Sequence, residues 1–299
     1  LILSGKTALA RPGAPLTEED LRLSELGALA EGFDWDLVSG NRLIRVLHGD
    51  PNRLTYSHRR IGEWLAARWL AYKAKAPAVR DRLLSALIVN GIVPASLRGL
   101  FGWLAQYPGM SDKIISTDPM AVIEYGDADG LAPKDAKSLL DALDRLAQED
   151  PYFAGWHELR AKGLVSETMR EPTLEAVRDP NRNARLRLLL ASQFKGEKLP
   201  ELVIGQFRSM TLDTSLFYAL REEASECLVG NVSVPAFVDL IEALRRQGSQ
   251  DATRLASNLL LEAGVDHFAD QFIVEVIMAD CGHTICAITI EGEDRIACQ

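Results

Sequence analysis

The sequence predicts a mainly α-helical protein, in which a small winged-helix-like domain precedes a stack of helical hairpins. Three observations lead to this fold class. A β-hairpin pattern runs directly into a long amphipathic helix, which is the outline of a winged helix. Nearly every segment after residue 80 has helical periodicity. Glycines recur at a regular interval in the second half, each just past an apolar helical run, as a left-handed helix C-cap requires.

The winged-helix-like domain is predicted to span residues 1–76. Thr17, followed by three acidic residues, indicates a capped helix over residues 17–31, because acids complement the positive start of a helix. Residues 43–47 indicate a strand, and a turn leads into a return strand at 54–56.

A long helix is predicted over residues 59–76. Its apolar residues recur at helical spacing and predict one buried face: Ile61, Trp64, Leu65, Trp69 and Tyr72. Trp64 and Trp69 are expected to anchor the core, whereas Arg59, Glu63 and Arg68 are expected to form surface ion pairs or domain contacts.

Residues 77–150 are predicted to form a helical connecting domain, and residues 151–280 an α-solenoid of about four hairpins. Four glycines carry the second prediction, spaced 33, 34 and 34 residues apart: Gly163, Gly196, Gly230 and Gly264. A two-helix unit cannot bury its apolar face alone, so neighbouring units must stack. The interval equals that of tetratricopeptide repeats, but their signature is absent, so HEAT-like hairpins are the better comparison. The alternative is coincidental spacing among 22 glycines.

Residues 281–299 depart from the helical pattern and are predicted to form a short β-hairpin or to be disordered. Four side chains here could ligate zinc: Cys281, His283, Cys286 and Cys298. Their spacing matches no usual zinc knuckle, and structural, half-buried cysteines are the favoured interpretation, so no metal is expected.

Composition restricts the function. The 299 residues include 33 Lys and Arg against 42 Asp and Glu, a net charge of −9. An acidic chain is poorly suited to grip nucleic acid or anionic lipid, and no apolar run is long enough to span a membrane. Four cysteines do not make a disulfide framework, which favours a cytoplasmic protein. The start at Leu1 suggests a portion of something larger.

Ser4-Gly5-Lys6-Thr7 matches only the end of a phosphate-binding P-loop. The first glycine of that motif is missing, and a proline-rich stretch stands where a βαβ unit should follow. We therefore interpret this segment as unrelated to a P-loop.

The stretch Leu54-Thr55-Tyr56-Ser57-His58-Arg59-Arg60-Ile61-Gly62-Glu63-Trp64-Leu65-Ala66-Ala67-Arg68-Trp69-Leu70 resembles the winged-helix region of bacterial NACHT-type STAND NTPases. Further similar segments are residues 3–8, 93–98, 102–105, 118–119 and 125–127. The resemblance covers about residues 1–150 and continues more vaguely through the repeats. The chain departs from the family pattern at Arg60, Gly62 and Trp64, where Ser, Gln and Tyr are common.

The resemblance implies that His58 contacts the β-phosphate of bound ADP and so holds a closed, resting state. It also implies that ATP or ADP belongs to the full-length protein, with the NTPase core upstream and no catalysis in this chain. The expected partners are that NTPase domain, a protein trigger on the repeats and other copies upon activation, in antiphage defence. The residues independently permit the phosphate contact, since an imidazole N–H at a helix start suits an anion; a structural histidine is the alternative.

Two other functions are compatible with the sequence. One is a freestanding α-solenoid scaffold that binds a protein or peptide. The other is a metal-dependent enzyme that uses the C-terminal Cys and His residues.

Overall fold

The chain divides into two compact units. The computed structural model describes residues 1–30, 33–153, 159 and 161–290, with the backbone alone for 28–30, 162 and 281–290. One unit comprises Leu1–Glu149 with Leu159–Thr173, and the other Asp150–Glu158 with Leu174–Gln299. The described residues are mainly helical with one small sheet, as the sequence predicts.

The first unit contains a four-stranded sheet in the order β2-β1-β4-β3. Its strands are β1 (Ala8–Ala10), β2 (Asp20–Arg22), β3 (Ile44–Leu47) and β4 (Asp50–Tyr56). Strand β1 pairs parallel with β2 and antiparallel with β4, and β3 pairs antiparallel with β4. The predicted hairpin is confirmed, because β3 and β4 join through His48 and Gly49, whose φ angles are 51° and 77°.

The helix predicted over residues 17–31 is wrong. Asp20–Arg22 is strand β2, and a 3-10 segment, Leu23–Ala30, follows it. The acidic residue that indicated a helix start serves the sheet instead: both carboxylate oxygens of Asp20 lie 3.1 Å from Nε of Arg53, on β4. Thr17 donates to the same carboxylate through its N–H and its hydroxyl, at 2.8 and 3.0 Å. A tertiary ion pair thus outweighs the local helix signal.

Among the described residues, seven α-helices lie entirely within the first unit: α1 (Trp35–Ser39), α2 (Arg59–Lys73), α3 (Pro77–Leu87), α4 (Arg98–Leu104), α5 (Ser111–Thr117), α6 (Pro119–Glu124) and α7 (Pro133–Glu149). The predicted long helix is confirmed as α2. Its predicted buried face is wrong, because Gly62, Glu63, Ala67 and Leu70 are the buried positions and Trp69 is 40% exposed. Small residues let α2 approach its neighbours closely, so its inward face carries few large apolar side chains.

After α8 (Arg170–Arg178), the described residues form three helical pairs, where the sequence predicts about four: α9 (Ala184–Ser192) with α10 (Glu201–Leu212), α11 (Tyr218–Glu226) with α12 (Val234–Gln247), and α13 (Gln250–Ala263) with α14 (Asp270–Ile290). Helices α9, α11 and α13 contact one another in turn, and α10 contacts α12. The first helix of each pair therefore packs on the first helix of the next pair, and α10 packs in the same way on α12, the second helix of the next pair.

Three of the four regularly spaced glycines separate the two helices of a pair. Gly196, Gly230 and Gly264 have φ angles of 72°, 77° and 87°, a conformation that favours glycine. Gly163 does not belong to this series: it lies in the 3-10 segment Lys162–Val165, and a Cβ there would sit 2.9 Å from the Ala128 backbone nitrogen.

The strand predicted near the C-terminus is wrong for residues 285–290, because α14 extends to Ile290. Residues 291–299 lie outside the described part of the chain. Among the described residues, no helix combines the length and apolar character that a membrane crossing requires.

Candidate functional site

His58 lies at the junction of β4 and α2, where it is the N-cap of the helix. Its backbone is extended, with φ −145° and ψ 138°. Its Nδ1 accepts a hydrogen bond from the Arg60 N–H at 3.2 Å. Because that bond occupies the Nδ1 lone pair, the neutral ring carries its proton on Nε2. The ring is exposed, so this N–H remains available to an acceptor outside the helix.

His58 borders a pocket of about 330 Å³ in the first unit. The pocket is lined by Leu1, Ile2, Gly5, Lys6, Thr7, Arg45, Leu47, Thr55, Tyr56, Ser57, His58, Arg59 and Ser96. Three lining side chains are basic in addition to the imidazole, and no described lining residue is Asp or Glu. The pocket is therefore cationic in a chain whose net charge is −9.

The Ser4–Thr7 segment forms one wall of this pocket. Its backbone does not have the arrangement of a phosphate loop, because the Thr7 N–H donates to the Glu19 carbonyl oxygen at 2.9 Å, and Lys6 Nζ donates to the Glu18 carbonyl oxygen. The segment thus leads into β1, consistent with our rejection of a P-loop. Its proximity to His58, 52 residues later, has no signal in the sequence.

The exposed guanidinium of Arg59 makes two contacts. Its Nε donates to Glu63 Oε1 at 2.8 Å, and its Nη2 donates to the Ser96 carbonyl oxygen at 2.6 Å. The hydrogen bond to Glu63 raises the pKa of Arg59. The pair was expected from the sequence, but Glu63 is only 3% exposed. Its carboxylate approaches α4, where a Cβ on Gly99 would lie 2.1 Å from Oε2.

Gly62 lies where the packing leaves no room for a side chain. A Cβ at this position would lie 2.6 Å from two ring carbons of Tyr56, so the aromatic ring packs directly on the backbone of α2. Burial raises the pKa of Tyr56 to about 12. A glutamine here would displace that ring from the start of the helix. Arg60 donates through Nη2 to the Glu124 carbonyl oxygen at 3.0 Å.

Three of the segments that carry the resemblance meet near α2. Arg98 donates through Nε and Nη2 to Asp118 at 2.8 and 3.2 Å, and its Nη1 lies 3.1 Å from Glu124 Oε2. The guanidinium carbon also lies 5.5 Å from the ring centroid of Tyr125. Asp118 in addition caps α6 by accepting from the Ala121 N–H at 2.9 Å. These contacts join the start of α4 to both ends of α6.

The C-terminal zinc candidates lie outside the part of the chain whose side chains the structure describes. The backbone of α14 includes residues Cys281, His283 and Cys286, and Cys298 is outside the described residues altogether. Among the residues that are described, no group of three or more His, Cys, Asp or Glu side chains could hold a metal ion.

The first-unit pocket is thus the arrangement with the clearest chemical character: an imidazole N–H, hydroxyls and cations converge on one concave surface. Such a set of donors suits an anion. Comparison with known proteins yields no family model, no curated protein and no solved structure that matches this chain.

Proposed function

We propose that this chain is the regulatory portion of a nucleotide-controlled, NACHT-like STAND signalling switch. The observation that carries the proposal is the position of His58, exposed at the start of α2 on a cationic pocket. A phosphate that approached this surface would meet the Nε2–H and the positive end of the helix. On this proposal the first unit acts as the winged-helix element, and the contact holds the resting state.

The helical pairs from α9 onward are proposed to form a HEAT-like solenoid that detects a protein trigger. The packing supports this role, because α9, α11 and α13 contact one another in turn and α10 contacts α12, as stacked hairpins would. Trigger and nucleotide then bias one conformational equilibrium from two sites. We further propose a cytoplasmic protein that assembles with other copies upon activation, in antiphage defence; these two points rest on the resemblance alone.

We propose that this chain does not itself catalyse a reaction. One imidazole and a few cations cannot replace the glycine-rich cradle and Mg²⁺ site of an NTPase. We therefore expect the isolated 299-residue chain to bind ATP more weakly than a Kd of about 10 μM, or about −7 kcal/mol.

Two measurements test this function. The coding sequence upstream of Leu1 should contain Walker A and Walker B motifs; their absence would overturn the proposal. In the protein that contains both parts, His58→Ala should accelerate ADP release, because a contact specific to the ADP state is lost. An unchanged release rate would contradict the role of His58.

A freestanding solenoid scaffold is the second candidate, favoured by the regular stacking of α9 to α13. It needs no NTPase partner. If the upstream sequence lacks Walker motifs while the chain folds and captures a protein ligand through its second half, the scaffold becomes the preferred function.

A further inference from the structure

The outward side of α14 carries large apolar side chains. Val274, Ile277 and Met278 are 59, 40 and 63% exposed. Because they lie three and four residues apart, they form one continuous stripe along the helix. Asp270, also exposed, lies on the same side, one turn before Val274. Val276, on the opposite side, is fully buried in the second unit. We refer to Asp270, Val274, Ile277 and Met278 as the α14 face.

Helices α10 and α12 carry polar residues where α14 carries a methionine. The seventh residue of each helix is buried, which places the three helices in a common register: Phe207, Leu240 and Val276. The ninth residue is exposed in all three. It is Ser209 in α10 and Glu242 in α12, both suited to contact with water, but Met278 in α14. The apolar surface is therefore a property of α14 and not of the repeat.

The surroundings of the α14 face are acidic. Residues 255–290 contain five Asp or Glu and no Lys or Arg. The arginines of α12 and α13 already have partners within the second unit: Arg245 pairs with Glu275 at 3.5 Å, Arg246 pairs with Glu242 at 3.4 Å, and Arg254 lies 5.6 Å from the ring centroid of Tyr218. A cationic partner would therefore be attracted to this surface, whereas the same face of a second copy would be repelled.

We propose that the α14 face binds a basic amphipathic helix of a protein partner. An apolar stripe with helical spacing packs against the apolar stripe of another helix, and the flexible side chain of Met278 adapts to its partner. Lysines or arginines beside the partner's stripe would pair with Asp270. Residues 291–299 are poorly suited to this position, because they contain three acidic residues and one arginine. The inference rests on the proposed function in that it names the chemistry of the protein trigger, and it applies equally to a scaffold.

Fluorescence anisotropy with the full chain tests the proposal. The probe is a fluorescein-labelled peptide of Leu and Lys, four helical turns long, with the leucines on one face. We expect saturable binding with a Kd on the order of 10–100 μM. Met278→Gln should weaken binding about 5- to 10-fold. The matched control is Leu202→Gln, which replaces a 70% exposed leucine on α10 and should leave the Kd unchanged. Both substitutions are at exposed positions, so the Tm should stay the same.

Altered peptides separate the apolar contribution from the charge. A peptide with the same composition in scrambled order, which lacks an apolar face, should bind at least about 5-fold more weakly, and a Leu and Glu peptide should not bind. Asp270→Asn should weaken binding about 2- to 3-fold at low salt, with the difference lost at high salt. Equal effects of Met278→Gln and Leu202→Gln would overturn the proposal, as would equal binding of the scrambled peptide.

Two other occupants of this surface have distinct signatures. Self-association in sedimentation velocity that Met278→Gln abolishes would assign the face to a second copy, and Met278-dependent binding to phosphatidylcholine vesicles would assign it to lipid. Either result would overturn the proposal. Its failure is distinguishable from that of the switch: peptide binding without upstream Walker motifs would support this surface and overturn the switch, and Walker motifs without peptide binding would do the reverse.

Discussion

Arg187 and Arg221 lie 34 residues apart and make the same buried contact. Each guanidinium donates through Nε to the carbonyl oxygen ten residues earlier, Val177 at 2.7 Å and Thr211 at 3.0 Å. These carbonyls lie at the ends of α8 and α10, where backbone acceptors lack intrahelical partners. Burial lowers the pKa of both groups. The second half therefore repeats a buried arginine contact as well as the spacing of its glycines.

Removing one of these arginines should destabilise the second unit. Arg221→Met keeps much of the buried volume but deprives Thr211 and the Gln247 side chain of a donor. We expect the free energy of unfolding to fall by about 2–3 kcal/mol, since buried acceptors are left unsatisfied. Urea denaturation measures it. Arg178→Met, at an exposed position of α8, should cost less than about 0.5 kcal/mol; equal losses would contradict this interpretation.

Two helical glycines should respond oppositely to alanine. At Gly62 a Cβ collides with the Tyr56 ring, so Gly62→Ala should lower the free energy of unfolding by about 1–3 kcal/mol. At Gly205, inside α10, a Cβ meets nothing within 4 Å. Gly205→Ala should therefore raise stability by about 0.5–1 kcal/mol, through better helix propensity. Thermal unfolding of both variants checks the signs, and a stabilising Gly62→Ala would exclude the close packing of Tyr56.

The left-handed glycines between helices give a third prediction. Gly230 has φ 77° and open space around its Cβ position, so conformation rather than crowding limits replacement. Gly230→Ala should cost about 1–2 kcal/mol. Gly230→Asn should cost less, because asparagine tolerates this region better. Differential scanning calorimetry measures the Tm of both variants. A higher Tm for Gly230→Ala than for Gly230→Asn would refute a purely conformational penalty.

The buried Asp20 predicts a pH dependence of stability. Burial alone would raise its pKa, but the hydrogen bonds from Thr17 and Arg53 outweigh burial and lower it below the ordinary 3.8. The unfolded chain therefore binds the proton more readily than the folded one. The carboxylate stabilises the fold above about pH 4 and loses that effect as the pH falls through the folded pKa.

Asp20→Asn isolates this contribution. The difference in unfolding free energy between the native chain and the variant should be about 1–2 kcal/mol at pH 7 and should shrink below pH 4. Urea denaturation from pH 3 to pH 7 measures that difference, in which the other carboxylates cancel. A difference independent of pH would show that Asp20 does not titrate in this range.

Local signals predicted much of the secondary structure. The hairpin of β3 and β4, the long helix α2 and the helical pairs all follow from turn residues and periodicity within a few neighbouring positions. The glycine spacing predicted the turns with positive φ at Gly196, Gly230 and Gly264, although Gly163 lies outside that series.

Long-range contacts account for the failures. Strand β2 depends on its pairing with β1 and on Arg53, which lies 33 residues after Asp20. A helix signal read from neighbouring residues contains no information on such contacts. The inward face of α2 uses Gly62 and Glu63, whereas periodicity favoured its large apolar residues. Arg187 and Arg221 resemble surface residues until the helix ends they cap are known. Likewise Lys6 and Arg45 join His58 in the pocket only through the pairing of the sheet.

The consecutive residues Gly62 and Glu63 fasten α2 on two sides, to the Tyr56 ring of the sheet and to Gly99 at the start of α4. Neither contact can shift without steric overlap. We therefore expect the sheet, α2 and α4 to move as one rigid body. An anion bound at the N-terminus of α2 would then affect the position of the sheet, α2 and α4 together. If the proposed switch changes conformation, we expect the change at the ends of this assembly and not between β4, α2 and α4.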